Sequence, residues 1–211
     1  ANSLHTNTKE RVIRNNLFFR VNKPLDPYRL ADNERYLRDL DFILDARIVV
    51  KPIKGNHDMV DVVVMTRDVF SLGGSFTPKS RTSGRINLYD ANLSGWGQRT
   101  EIRSLVDTDR DPKFGIQLLY SKNSIKGTLI NGTVSYTQIN TGASYGFENE
   151  SAVFLRLDRP LVSPYSRWAG GAQLSRNWSV NAYNKIDTTF RRYVYYAKDF
   201  WIGYNIGIKN H

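Results

Sequence analysis

The chain has 211 residues and a mass of 24.2 kDa, enough for one large domain or two small ones. It contains no cysteine, which excludes disulfide frameworks, thiolate metal sites and thiol catalysis. Thirty Lys+Arg against 20 Asp+Glu give a net charge of +10 and a pI near 9.8, a balance suited to anionic partners. A helical membrane span needs roughly 20 apolar residues, whereas the longest aliphatic run here is Val62 to Met65. Helical spans are therefore excluded. A membrane β-barrel is not, because its strands alternate apolar and polar residues, and the mean hydropathy of -0.47 is compatible with that. No signal peptide is visible at Ala1-Asn2-Ser3, which reads as a cytoplasmic, already processed or engineered chain.

In residues 1–70, Asn7 followed by Glu10 has the spacing of a helix cap and its capping-box partner, ahead of Val12, Ile13 and Leu17. A short helix over about 8–17 follows. Asp26-Pro27 supplies a cap and a first-turn proline, and Leu30, Leu37 and Leu40 recur at helical spacing, which predicts a helix over about 27–40. The β-branched runs Ala46 to Val50 and Val60 to Met65, separated by Lys54-Gly55-Asn56-His57-Asp58, predict a β-hairpin.

From about residue 70 the grammar changes. Units of about ten alternating residues are punctuated by Gly, Asn, Ser, Asp or Pro, and no helix is predicted. Strands are expected around 69–78, 85–89, 99–106, 114–121, 130–136, 153–158, 166–177 and 200–209. The alternation is clearest in Phe114, Ile116, Leu118, Tyr120 and in Phe200, Ile202, Tyr204, Ile206, Ile208. A soluble sandwich would also alternate. Two features favour a membrane barrel: most strands have bilayer-crossing length, and the polar face carries charges of both signs, which can pair in a hydrated lumen. Tyr165, Trp168, Trp178 and Tyr193 near strand ends would suit an interfacial girdle.

Thr8-Lys9-Glu10-Arg11-Val12-Ile13-Arg14, Pro24-Leu25-Asp26, Leu37-Arg38-Asp39-Leu40-Asp41-Phe42-Ile43 and Asp45-Ala46-Arg47-Ile48 resemble a POTRA domain. Ser83 to Asp90, Gly95-Trp96-Gly97-Gln98-Arg99 and Arg159 to Gly171 resemble the opening of the barrel in the BamA-like outer-membrane assembly family, especially Bacteroidetes-type surface proteins. The resemblance implies an α+β POTRA-like domain over residues 1–69, followed over 70–211 by an all-β antiparallel sheet of about eight strands, the N-terminal half of an outer-membrane β-barrel. A POTRA unit opens with a strand, for which only Ala1 to Thr6 is available. The family's Arg-Gly-Phe or Arg-Gly-Tyr motif is absent. An eight-stranded barrel closing on itself is the alternative architecture.

Other chemistries lack residues to carry them. His5, His57 and His211 form no metal-ligand pattern, and Gly73-Gly74-Ser75 completes no nucleophile elbow. Asp107, Asp109 and Asp111 imitate the start of a calcium loop without its downstream glycine and glutamate, and read as a solvated hairpin. Basic and aromatic residues are spread along the chain rather than clustered, so no nucleic-acid partner is expected. No enzyme activity, metal or cofactor is expected either. The resemblance implies folding and insertion of client outer-membrane proteins, from the bacterial outer membrane with the N-terminal domain in the periplasm. Its expected partners are unfolded clients, assembly-complex lipoproteins and outer-membrane lipid. It places client pairing at the strand of Arg47, Ile48, Val49 and Val50; packing of Ile48 and Val50 under the helices is the alternative. It also places pairing at a first barrel strand with Gly73, Gly74 and Phe76; a bulge or a tight packing site is the alternative reading of the glycines. Arg85, Arg99, Glu101, Arg103, Arg156 and Asp158 would face the lumen. A two-partner-type polypeptide-secretion pore shares the scaffold; a soluble lipid- or RNA-binding β-protein does not.

Overall fold

The fold is that of a computed structural model, which describes residues 6–140 and 145–206. Two helices, α1 (Glu10–Asn15) and α2 (Pro27–Arg38), precede a two-stranded ribbon of β1 (Ile43–Ile53) and β2 (Asn56–Asp68). Asp26 caps α2 as its sequence predicts, accepting from the N–H groups of Tyr28 at 2.9 Å and Arg29 at 3.4 Å. The expected cap of α1 does not form: Lys9 occupies the cap position without a side-chain bond, and Glu10 pairs with Arg14 at 2.6 Å. The ribbon turns at Lys54-Gly55, where Gly55 has φ +84°, so both strands are longer than their β-branched cores.

Apolar faces of the helices and of β1 meet in a small core of Val12, Ile13, Leu37, Leu40, Phe42, Ile43 and Ala46, with Ile48 and Val64 against it. The segment between the helices is held by a buried amide pair. Asn33 accepts from Phe18 N–H and donates to the Asn16 carbonyl, both at 2.9 Å, and Asn16 donates to the Val12 carbonyl at 2.9 Å. Buried amides are tolerated because their donors are satisfied.

The remainder is one eight-stranded antiparallel meander. It comprises β3 (Leu72–Pro78), β4 (Ser83–Asp90), β5 (Gln98–Asp107), β6 (Phe114–Lys122), β7 (Asn131–Thr137), β8 (Asn149–Arg159), β9 (Trp168–Val180) and β10 (Val194–Tyr204). Strand order follows the sequence, and among the described residues β3 pairs only with β4 and β10 only with β9. The last strand starts earlier than the alternation from Phe200 indicates and ends at Tyr204; Gly207 and Ile208 lie outside the described residues. β3, β4 and β7 have 7, 8 and 7 residues, shorter than the expected 9 to 11.

Directly opposed residues share a face of the sheet. One face carries Phe76, Ile86, Leu88, Ile102, Leu118, Val134, Leu155, Phe200 and Ile202, all of them exposed. The other carries Glu101, Gln117, Ser135, Thr137 and Asn177, all of them buried. The sheet thus curls into an open, partial barrel around its polar side. That distribution is the inverse of a soluble sandwich, which buries the apolar face.

Candidate functional site

The N-terminal unit of helices and ribbon, called the ribbon unit below, meets the sheet through α1 and the residues before it, at the turns between β4 and β5 and between β6 and β7. Asn92, 2% exposed, holds the first turn: it donates to Thr8 Oγ1 at 2.8 Å and accepts from Gly97 N–H at 2.7 Å. Lys9 N–H donates to the Gly95 carbonyl at 2.9 Å, and the Lys9 ammonium lies over the Trp96 ring at 3.5 Å. Gly97 has φ +60°, and a Cβ there would come within 2.7 Å of Val12 Cγ1, so glycine serves both the backbone and the contact. At the second turn, Ser124 donates through Oγ to the Asn15 carbonyl at 2.7 Å. Ser124, Lys126 and Leu129 all have positive φ, a strain maintained where the turn is held against α1.

The residues expected to face a lumen all lie on the polar, concave side. Glu101 on β5 is enclosed and accepts from Arg99 Nη2 at 3.0 Å and Arg103 Nε at 2.5 Å. Arg99 also reaches Asp41 in the ribbon unit at 3.2 Å and stacks on Tyr89 at 4.4 Å. Arg156 pairs with Asp158 along β8 at 3.3 Å. Arg99 and Asp158 share a cavity of about 260 Å³, with Asp41 and Lys122, between the ribbon unit and the sheet. Arg85 stands apart from these clusters, nearer the other end of the sheet.

At that other end the loops knit over the concave face. Asp111 N–H donates to the Ala182 carbonyl at 2.7 Å, Arg110 donates to the Gln138 carbonyl at 2.7 Å, and Tyr183 OH donates to Asp107 at 3.3 Å. The Asp107 to Pro112 segment is therefore a hairpin loop tied into its neighbours, and no cluster of three metal-ligating side chains occurs among the described residues. Glu150, 2% exposed, accepts from Tyr193 OH at 2.9 Å and Tyr195 OH at 3.0 Å. Tyr193 thus turns toward a carboxylate rather than joining an aromatic girdle. Trp168, half exposed, packs against Tyr204 with ring centroids 4.6 Å apart and planes tilted by 58°. Lys185 at 2.6 Å holds the Glu148 carboxyl below its usual range.

Among the described residues β1 and β3 each have a strand neighbour on one side alone. On β1, Ile48 N–H points away from β2 and donates to Glu34 Oε2 of α2 at 2.8 Å. By the alternation of an antiparallel ladder, Arg47 and Val49 bond to β2, while Ala46, Ile48 and Val50 present their N–H groups outward. Ala46 N–H is taken by Asp45 Oδ1 at 3.0 Å, and Pro52 has no donor. Val50 is left as the outward donor of this edge. Ile48 packs against the core, whereas the Arg47 and Val49 side chains lie on the opposite, exposed face. On β3, Gly73 lies under the Tyr89 phenol, where any Cβ would collide with the ring, so the tight-packing reading accounts for this glycine. Phe76, on the exposed face, is opposite Ile86.

Sequence reasoning passed over Glu34, Asn92, Arg110, Glu148, Glu150 and Tyr195. Tyr193 and Tyr195, two residues apart where β10 begins, were readable as a pair on one side of the chain, though their meeting with Glu150 was not. Glu34 and Asn92 gave no signal, because their roles depend on elements distant in sequence.

No protein-family model matches the chain, and no curated protein matches it in sequence. Among solved structures it is similar to BamA from Haemophilus ducreyi lacking POTRA domains 1–3, at 13% identity and a TM-score of 0.51. The alignment covers 92% of this chain and 40% of that one, so the chain spans less than half the length of the BamA structure it matches. The fold is that of a BamA-like partial β-barrel.

Proposed function

We propose that this chain acts in outer-membrane β-barrel protein assembly, templating client strands by main-chain pairing. The observation that carries the reading is a curled sheet whose apolar face is exposed and whose first strand, β3, pairs on one side alone among the described residues. Lipid tolerates no unsatisfied backbone, so the outer edge of β3 takes a strand partner, and in this reading an extended client supplies one without regard to its sequence. In this reading Gly73, Gly74 and Phe76 belong to the pairing strand, and the charged groups around Glu101 line a hydrated lumen. The ribbon unit is a POTRA-like domain on the periplasmic side, its β1 edge at Ile48 and Val50 offering a second pairing site. Partner lipoproteins would meet this unit, and outer-membrane lipid the apolar face. The exposed apolar face weighs against the soluble lipid- or RNA-binding alternative.

Disulfide trapping tests the proposal, since the chain has no cysteine of its own. Cysteine placed at Ser75 should trap an unfolded outer-membrane protein segment carrying a single cysteine, and cysteine at Ser135 in the middle of the sheet should not. Trapping at neither position, with the protein folded in bilayers, would overturn the assembly role.

A further inference from the structure

A cavity of about 330 Å³ opens beneath the knitted loops, in the size range of small-ligand sites. Its lining carries Lys79 from the β3–β4 turn, Arg85 from β4, Asn149 from β8, and Glu148 with Lys185 from the loops. Among the described residues the Arg85 Nε is buried without a hydrogen-bond acceptor, and so is the Asn149 Nδ2. Both are donors. Every other arginine expected on the concave face has an acidic partner: Arg99 and Arg103 share Glu101, and Arg156 has Asp158. The one carboxylate in the lining, Glu148, is already occupied by Lys185 at 2.6 Å and by the N–H of Arg191 at 3.3 Å. The lining therefore holds three cations against one anion, together with two buried donors that lack acceptors.

Burying a guanidinium N–H without an acceptor is costly, and so is burying an amide donor. An oxyanion removes both costs at once, because a guanidinium fork matches two of its oxygens while an ammonium and an amide reach others. We infer that this cavity binds a phosphate group, either as a free phosphate or at the head of a lipid. Lys79 supplies charge at the rim, Arg85 the bidentate contact and Asn149 the neutral donor. This site is separate from the strand edges and does not depend on the assembly role.

The test uses the full chain in detergent micelles and in vesicles, with two probes. The first is inorganic phosphate, followed by phosphorus NMR line broadening. The second is the chain's response to phosphatidic acid in phosphatidylcholine vesicles, compared with phosphatidylcholine alone. Wild type should bind at least one probe saturably. Arg85→Gln and, independently, the surface substitution Lys79→Gln should weaken that binding about tenfold, the scale of a lost charge-assisted hydrogen bond. Arg156→Gln, whose arginine is paired elsewhere, should leave it unchanged. Binding of phosphate in solution identifies a free ligand, and binding only of phosphatidic acid identifies a lipid headgroup; either supports the site. Absence of saturable binding in both arms, or binding indifferent to both Lys79→Gln and Arg85→Gln, would overturn it.

Discussion

Glu101 shows how a single charge organises one side of the sheet. Its carboxylate is enclosed, yet Arg99 and Arg103 both retain solvent contact, so the triad avoids most of the desolvation cost of a fully buried pair. Glu101→Gln should destabilise the protein by about 1–3 kcal/mol, the cost of leaving buried donors poorly matched, measured by urea unfolding in micelles. An unchanged midpoint would show that the arginines are served by water instead. Tyr36 carries a pH signature outside the sheet: burial pushes its phenol from 10.0 up to about 12, against a smaller opposing contribution from Asn123. Its OH also donates to Asn16 at 3.0 Å. Because the folded-state value is raised, this contribution is intact below pH 10 and is lost as pH rises toward 12. Wild type should therefore lose stability across that interval more steeply than Tyr36→Phe, as measured by alkaline unfolding curves. At this scale the sequence was partly legible. Alternation alone put Arg99, Glu101 and Arg103 on one face, but that Asp41 would meet Arg99 could not be read from residues 58 positions apart.

Local signals predicted elements best where nothing distant competed with them. Asp26 caps α2 because one carboxylate oxygen meets the first-turn N–H groups while the other pairs with Arg29 of the same turn at 3.3 Å, so every partner is local. The similar signal at Asn7 and Glu10 fails because the backbone of this segment is taken up against the turn at Gly95. The β1–β2 ribbon was legible as a hairpin, but the protection of its outer edge was not. Glu34 projects from α2 to occupy Ile48 N–H while pairing with Arg38 at 3.3 Å, and Asp45 covers Ala46. Edge strands are commonly blunted in such ways against unwanted pairing. An incoming strand must displace Glu34. Glu34→Ala should therefore strengthen binding of an extended peptide at this edge severalfold, and Val50→Pro, which removes the unoccupied outward donor, should abolish it. Val49→Pro would instead break the ladder to β2. Peptide titrations by fluorescence anisotropy on the ribbon-bearing full chain check this; equal binding by wild type and Val50→Pro would remove β1 as a pairing site.

Across the whole molecule, the arrangement follows from which face of the sheet is curled inward. The period-two pattern identified an apolar and a polar face, but periodicity cannot tell which of them meets solvent. Only the assembled sheet does, with Leu88, Ile102, Leu118 and Leu155 outside and Gln117, Ser135 and Thr137 enclosed. Docking through Asn92 and Ser124 then fixes the ribbon unit at one end, while the loops around Glu150 cover the other. An exposed apolar band of this extent is stable in hydrocarbon and unstable in water. The most direct test is a cysteine scan along β5, from residue 100 to residue 106, with each single-cysteine protein labelled by a fluorophore and reconstituted in bilayers containing a lipid-borne quencher. The account predicts alternation: strong quenching at Ile102, Ser104 and Val106, and weak quenching at Glu101, Arg103 and Leu105, which should respond instead to a water-soluble quencher. Uniform aqueous quenching along the strand, or alternation in the opposite phase, would contradict it.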